Sequence, residues 1–165
     1  MNMDKEEIRK QNRSIMLGII IIIIVIIAST GCAFYKSLNA DDFKNQFAAI
    51  GYTIDKDQEA EYSDYKITSY QEASKEDMPF KVIYYEFENE IEAQKVYQKY
   101  KTNLANYLTT SSKNTETTGA VFTKMVATSE GEYIVISRIK NTLIFVPGLK
   151  DYKSTIDEML VNIGY

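Results

Sequence analysis

The chain has 165 residues, a formal charge of −4 and a pI near 5.0, so it offers no basic field for a phosphate backbone and no nucleic-acid partner is expected. It contains no His and a single Cys, Cys32, which removes Ser-His-Asp and Cys-His catalysis, imidazole- and thiolate-built zinc or iron sites, and any internal disulfide. Beyond the hydrophobic stretch near the start, roughly 130 residues remain for folding, enough for one domain with one core.

Residues 15–35 read IMLGIIIIIIVIIASTGCAFY without a charge, and about 20 such residues are needed for a helix to cross ~30 Å of hydrocarbon. Lys5, Arg9, Lys10 and Arg13 precede the run, whereas Lys36 and Lys44 follow it beside Asp41 and Asp42. Because Lys and Arg are retained in the cytoplasm, the expected organisation is a cytoplasmic tail over 1–14, a transmembrane helix or lipoprotein signal segment over 15–35, and an extracytoplasmic domain over 36–165 at the cell membrane. Ser29-Thr30-Gly31-Cys32 resembles the lipobox of bacterial lipoproteins, in which a small residue precedes the lipidated Cys; the position three before the Cys, usually Leu, Val or Ile there, is Ser29. Cys32 is therefore the lipidation candidate. In the competing reading these are the small residues common in membrane helices. Either anchor tethers the domain.

Asn39 is placed to cap a helix over about 40–50, with Leu38 stapled against Phe43, an apolar stripe of Phe43, Phe47 and Ile50, and Gly51 as a left-handed stop. Valine is accordingly expected to cost far more at Gly51 than at Gly119. Alternation predicts strands at Tyr52 and Ile54, at 65–70 and at 80–87, the last opened by Pro79. Asn89 and Glu92 start the longest helix outside the membrane, marked by Ala93, Val96, Tyr97, Tyr100, Leu104 and Leu108 at helical spacing. The Ser/Thr-rich residues 109–119 have no apolar period and predict a mobile loop.

Strands follow at 121–128, 133–140 and 143–146, turning around Gly131 and at Asn141-Thr142. Tyr152, Ile156, Leu160 and Ile163 share a face of the closing helix, whose Ile163-Gly164-Tyr165 ending repeats Ile50-Gly51-Tyr52. The predicted fold class is α+β: a membrane helix followed by a two-layer domain of antiparallel strands with helices packed on one face, in two βββα halves.

The candidate chemistries are thin. Asp55, Asp57, Glu59 and Glu61 open like a calcium loop, but Ala60 and Lys66 stand where that loop needs Gly and a bidentate Glu. Ser63 with Lys66, and Ser137 with Lys140, have Ser-x-x-Lys spacing, yet lie in or near strands, where residues three apart point to opposite faces. Glu86 and Glu88 are the nearest pair for a carboxylate-dependent hydrolase acting on cell-wall polymer; alternation with Tyr85 and Phe87 more simply makes them the wet side of a strand. No cofactor, metal or catalytic residue is expected. Among the 13 Tyr, Tyr62, Tyr65 and Tyr70 have no evident core role and form the candidate contact surface.

The hydrophobic segment ending in Thr30-Gly31-Cys32, the Phe-bearing helix ending Gly51-Tyr52-Thr53, the hairpin ISRIKNTLIFV over 136–146 and the terminal Ile163-Gly164-Tyr165 together resemble a group of small membrane-anchored surface proteins and lipoproteins of low-GC Gram-positive bacteria. That resemblance implies location and architecture and carries no activity. The expected function is non-enzymatic, a tethered extracytoplasmic domain binding an envelope protein or cell-wall polymer.

Overall fold

The computed structural model describes residues 36–55, 62–107 and 112–165. The anchor segment, Cys32, Asp57, Glu59, Glu61 and Leu108 lie outside the described residues. Among the described residues, no helix is long and apolar enough to cross a membrane.

Helix α1 (Ala40–Ala49) starts where the sequence places it. The Asn39 side-chain oxygen accepts from the Asp42 N–H at 2.8 Å, and Leu38 is buried in the same cluster as Phe43 and Phe47. At the other end Gly51 has φ 85°, the Tyr52 N–H reaches the Phe47 carbonyl at 3.0 Å, and the Gly51 N–H reaches that of Ala48 at 3.1 Å. This is a Schellman stop, with the Tyr52 ring meeting Phe47 edge-on at 5.2 Å as its apolar contact.

The chain then forms β1 (Thr53–Asp55), β2 (Ile67–Ser74), β3 (Lys81–Phe87), α2 (Glu90–Tyr107), β4 (Lys113–Thr118), β5 (Phe122–Thr128), β6 (Glu132–Ile139) and β7 (Thr142–Leu149). A 3₁₀ turn (Lys150–Tyr152) leads into α3 (Lys153–Asn162). The seven strands make one antiparallel sheet in the order β1-β2-β3-β7-β6-β5-β4. Two meanders therefore meet at the β3–β7 pairing, where Ile83 lies opposite Phe145 and Tyr85 opposite Leu143. Helix α2 carries the chain from the centre of the sheet to its far edge.

The fold is α+β and antiparallel, but the helices do not share a face. Val82 and Tyr84 of β3 point into a cluster with Phe43, Phe47, Ile156 and Leu160 of α1 and α3. Ile83, Tyr85 and Phe87 point the other way, into a cluster with Ala93, Val96, Tyr97, Tyr100 and Leu104 of α2. The central strands are buried on both sides, so Val82-Ile83-Tyr84-Tyr85 reads as a continuous apolar run rather than an alternating one. The second meander also has four strands rather than three, which corrects the expectation of two βββα halves.

The extra strand is β4, inside the stretch expected to be a mobile loop. All six of its residues are exposed, so it carries no apolar period. Pairing with β5 orders it, from Lys113 opposite Thr128 to Thr118 opposite Thr123, aided by β-branched Thr, which suits strands. Two smaller shifts accompany it: β2 begins later than expected and has a bulge between Ile67 and Ser69, and the tight turn falls at Lys140-Asn141, with Lys140 at φ 52°.

Candidate functional site

Helix α2 is fixed by its cap and its stripe. The Asn89 side-chain oxygen accepts from the Ile91 N–H at 3.0 Å and the Glu92 N–H at 3.1 Å, while Ala93, Val96, Tyr97, Tyr100 and Leu104 bury against the sheet. Between the later turns of this helix and strands β6 and β7 lies a cavity of about 440 Å³. Its floor is Ile134, Ile136, Phe145 and Pro147, its helical wall Tyr100 and Leu104, its third side Tyr62, and its rim Asn103, Tyr107 and Glu132. Such a lining, apolar with a few polar tips, is the usual make-up of a ligand site.

The rings are locked by the core. Tyr62 meets Tyr100 edge-on at 4.8 Å, and Tyr100 lies 4.4 Å from Phe145 at 35°. The Tyr100 hydroxyl is spent inward on that of Tyr85 at 2.9 Å, and the Tyr62 hydroxyl accepts from Asn103 Nδ2 at 3.2 Å. Across the rim, the exposed Tyr107 donates to Glu132 Oε1 at 3.1 Å, and this bond holds the Tyr107 phenol above its usual pKa, in its protonated, donating form. A wider depression of about 800 Å³ runs along α2 beside Tyr65 and Arg138, lined by the long polar side chains of Gln94, Lys95, Gln98 and Lys99, with Lys95 paired to Glu92.

The structure divides the three expected contact tyrosines. Tyr62 is only 7 % exposed, so it has a core role after all, as a wall of the cavity. Tyr65 is half-buried, 6.2 Å from the Tyr62 ring, and lines the wider depression. Tyr70, on β2, packs 5.1 Å from Tyr85 with its hydroxyl bonded to Glu72, and lines neither space. Sequence reading missed Tyr100, Tyr107, Phe145 and Glu132. A signal was present: Tyr107 follows Tyr100 and Leu104 at helical spacing, three after the latter, and prolongs their face one position past the end of the packed stripe.

The other candidates are dispersed or engaged. Glu86 Oε2 accepts from the Ala40 N–H at 3.3 Å and the Tyr84 hydroxyl at 3.4 Å, at the start of α1. Glu88 lies beyond β3 and pairs with Lys66 at 2.7 Å, which also engages the lysine of the Ser63–Lys66 pair. Ser137 is fully buried, and Lys140 occupies a hairpin turn. Asp55 sits on β1. Glu116 is held below the usual carboxylate range by Lys101 and by the Tyr97 hydroxyl, and Glu92 by Lys95. Among the described residues no group of three Asp, Glu, Cys or His side chains is placed to hold a metal ion.

No family model matches the chain, and no curated protein matches it. Its backbone is similar to that of a crystal structure from Thermotoga maritima described as a GTP binding regulator, with a TM-score of 0.51 and 19 % identity over 80 % of this chain and 90 % of that one. That likeness shows the fold alone.

Proposed function

We propose that this protein is a membrane-tethered extracytoplasmic binding module, of the kind found among the small anchored surface proteins of low-GC Gram-positive bacteria. Residues 15–35 anchor it, as a single spanning helix or through lipid on Cys32, with residues 1–14 inside. Residues 36–165 face outward and bind an envelope protein or cell-wall polymer without chemistry. The observation that carries the reading is the α2 cavity: its rings are fixed by core contacts before any ligand arrives, so little ordering entropy is lost on binding. The engagement of Glu86 and Glu88 elsewhere favours binding over hydrolysis. The description of the Thermotoga structure is not carried over to the cavity, because its rim carries Glu132, which repels phosphates.

Fractionation, protease treatment of spheroplasts and cross-linking test this together. The chain is expected in the membrane fraction, the domain is expected to be digested from outside, and cross-linked membranes are expected to yield a component that Tyr107→Ala fails to capture at unchanged Tm. Intact mass separates the anchors: loss of cleavage and lipid in Cys32→Ala establishes the lipoprotein. A protease-protected domain overturns the topology. Digestion of wall polymer that stops with Glu86→Gln or Glu88→Gln replaces binding with hydrolysis.

A further inference from the structure

We infer that the α2 cavity takes an organic cation, an alkylammonium group. This inference rests on the binding reading and names the ligand class of that same site. Three rings, Tyr62, Tyr100 and Phe145, follow one another along the cavity at 4.8 and 4.4 Å. Two of the three carry hydroxyls: that of Tyr100 is bonded inward to Tyr85, and that of Tyr62 accepts from Asn103. Tyr62 and Tyr100 are packed under their neighbours, so the aromatic surface left to a ligand is chiefly that of the half-buried Phe145 and the exposed Tyr107, and a ring face attracts positive charge.

The rim adds a full negative charge. Glu132 accepts from the Tyr107 hydroxyl at 3.1 Å and from the Ser129 hydroxyl at 3.5 Å, both neutral donors. Among the described residues no Lys or Arg forms an ion pair with it. A carboxylate without a cation partner on the rim of an aromatic-lined cavity favours a positively charged guest and repels an anion.

The lining also selects the kind of cation. A bare metal ion needs several oxygens, and this cavity presents one carboxylate among Leu104, Ile134 and Pro147. An ammonium group bearing alkyl substituents buries those substituents on the apolar walls and directs its charge to Glu132. A cavity of about 440 Å³ suits one small head group, the part of a larger envelope component that enters it.

Choline and its neutral carbon analogue 3,3-dimethylbutan-1-ol are the probes, titrated into the full chain in detergent micelles by calorimetry. Choline is expected to bind at least tenfold more tightly than the alcohol, and to weaken as sodium chloride is raised while the alcohol does not. Glu132→Gln is expected to shrink that difference, weakening choline by a larger factor than the alcohol and flattening the salt dependence of choline. The salt series reads the same charge in the wild type, so it decides the matter should the variant fold poorly. Equal binding of the two probes, or choline binding indifferent to both salt and Glu132→Gln, overturns the cation. No choline binding, with capture from cross-linked membranes still dependent on Tyr107, overturns the cation and leaves the binding module standing. Loss of both overturns the two together.

Discussion

Gly51, Gly119 and Gly148 are alike in sequence and differ in what a side chain would meet. Gly51 has φ 85° with only the end of Lys75 near its absent Cβ, so the cost there is backbone strain, on the order of 1–2 kcal/mol for valine. Gly119 was expected to be cheap to replace at the edge of a mobile loop. Instead its Cβ would lie 2.2 Å from Phe122 Cε1, at the β4–β5 turn. Both Gly51→Val and Gly119→Val should therefore lower the urea midpoint. Adding Phe122→Ala should restore most of the loss at Gly119 and none at Gly51, because only the first is a clash; a double-mutant cycle with no coupling would refute this. At Gly148 a Cβ would meet Ile156 Cδ1 at 2.4 Å and the Tyr133 carbonyl at 3.1 Å. Ile156 is fully buried, so Gly148→Ala should push α3 off β7 and cost roughly 1–3 kcal/mol, read as a fall in Tm with an unchanged cap at Gly51.

Where an element rests on a local signal, the sequence shows it; where it rests on a partner far along the chain, it does not. The caps at Asn39 and Asn89, the Gly51 stop and the stripe of α2 lie within a few residues, and each appears where capping and periodicity place it. Strand β4 depends on β5 and on one bridge: Glu116 accepts from the Tyr97 hydroxyl at 2.9 Å and pairs with Lys101, both on α2. No pattern in Lys113–Thr118 announces that. The cavity was half legible for the same reason, since Tyr62 and the α2 stripe stood out but Phe145 and Glu132 join them only through the sheet. Glu116→Ala should release β4 locally, raising amide exchange there while exchange in β6 and β7 stays slow. The loss should be about 0.5–1 kcal/mol, because the pair is partly exposed and screened. Equal acceleration in the central strands would mean that β4 is part of the cooperative core.

At the scale of the whole molecule the sheet is a shared partition between two aromatic cores, and this decides how the domain responds to pH. There is no His, so no described side chain of ordinary pKa titrates near neutrality, and stability should be nearly flat from about pH 6 to pH 9. Tyrosines govern the alkaline side. Burial, then the bond to Asp157, pushes the Tyr133 phenol up to about 12. Burial raises Tyr84, Tyr97 and Tyr165 as well, with Glu86 adding to the first and Glu116 to the second. In the unfolded chain a tyrosine ionises near 10. From about pH 10 to 12 the unfolded chain thus sheds protons that the folded chain keeps, so the unfolded state binds fewer and stability must fall as pH rises through that window. Both faces are involved, Tyr84, Tyr133 and Tyr165 on the α1–α3 side and Tyr97 under α2, so the two cores should fail together rather than one surviving the other. The measurement is phenolate absorbance followed with far-ultraviolet circular dichroism as pH is raised. A block of phenolate signal is expected to appear in step with loss of the sheet signal, and the urea midpoint should drop steeply above about pH 10. Smooth ionisation of all tyrosines near 10 with the sheet signal intact would show that their hydroxyls are not sequestered, and that the two-sided core is looser than its packing implies.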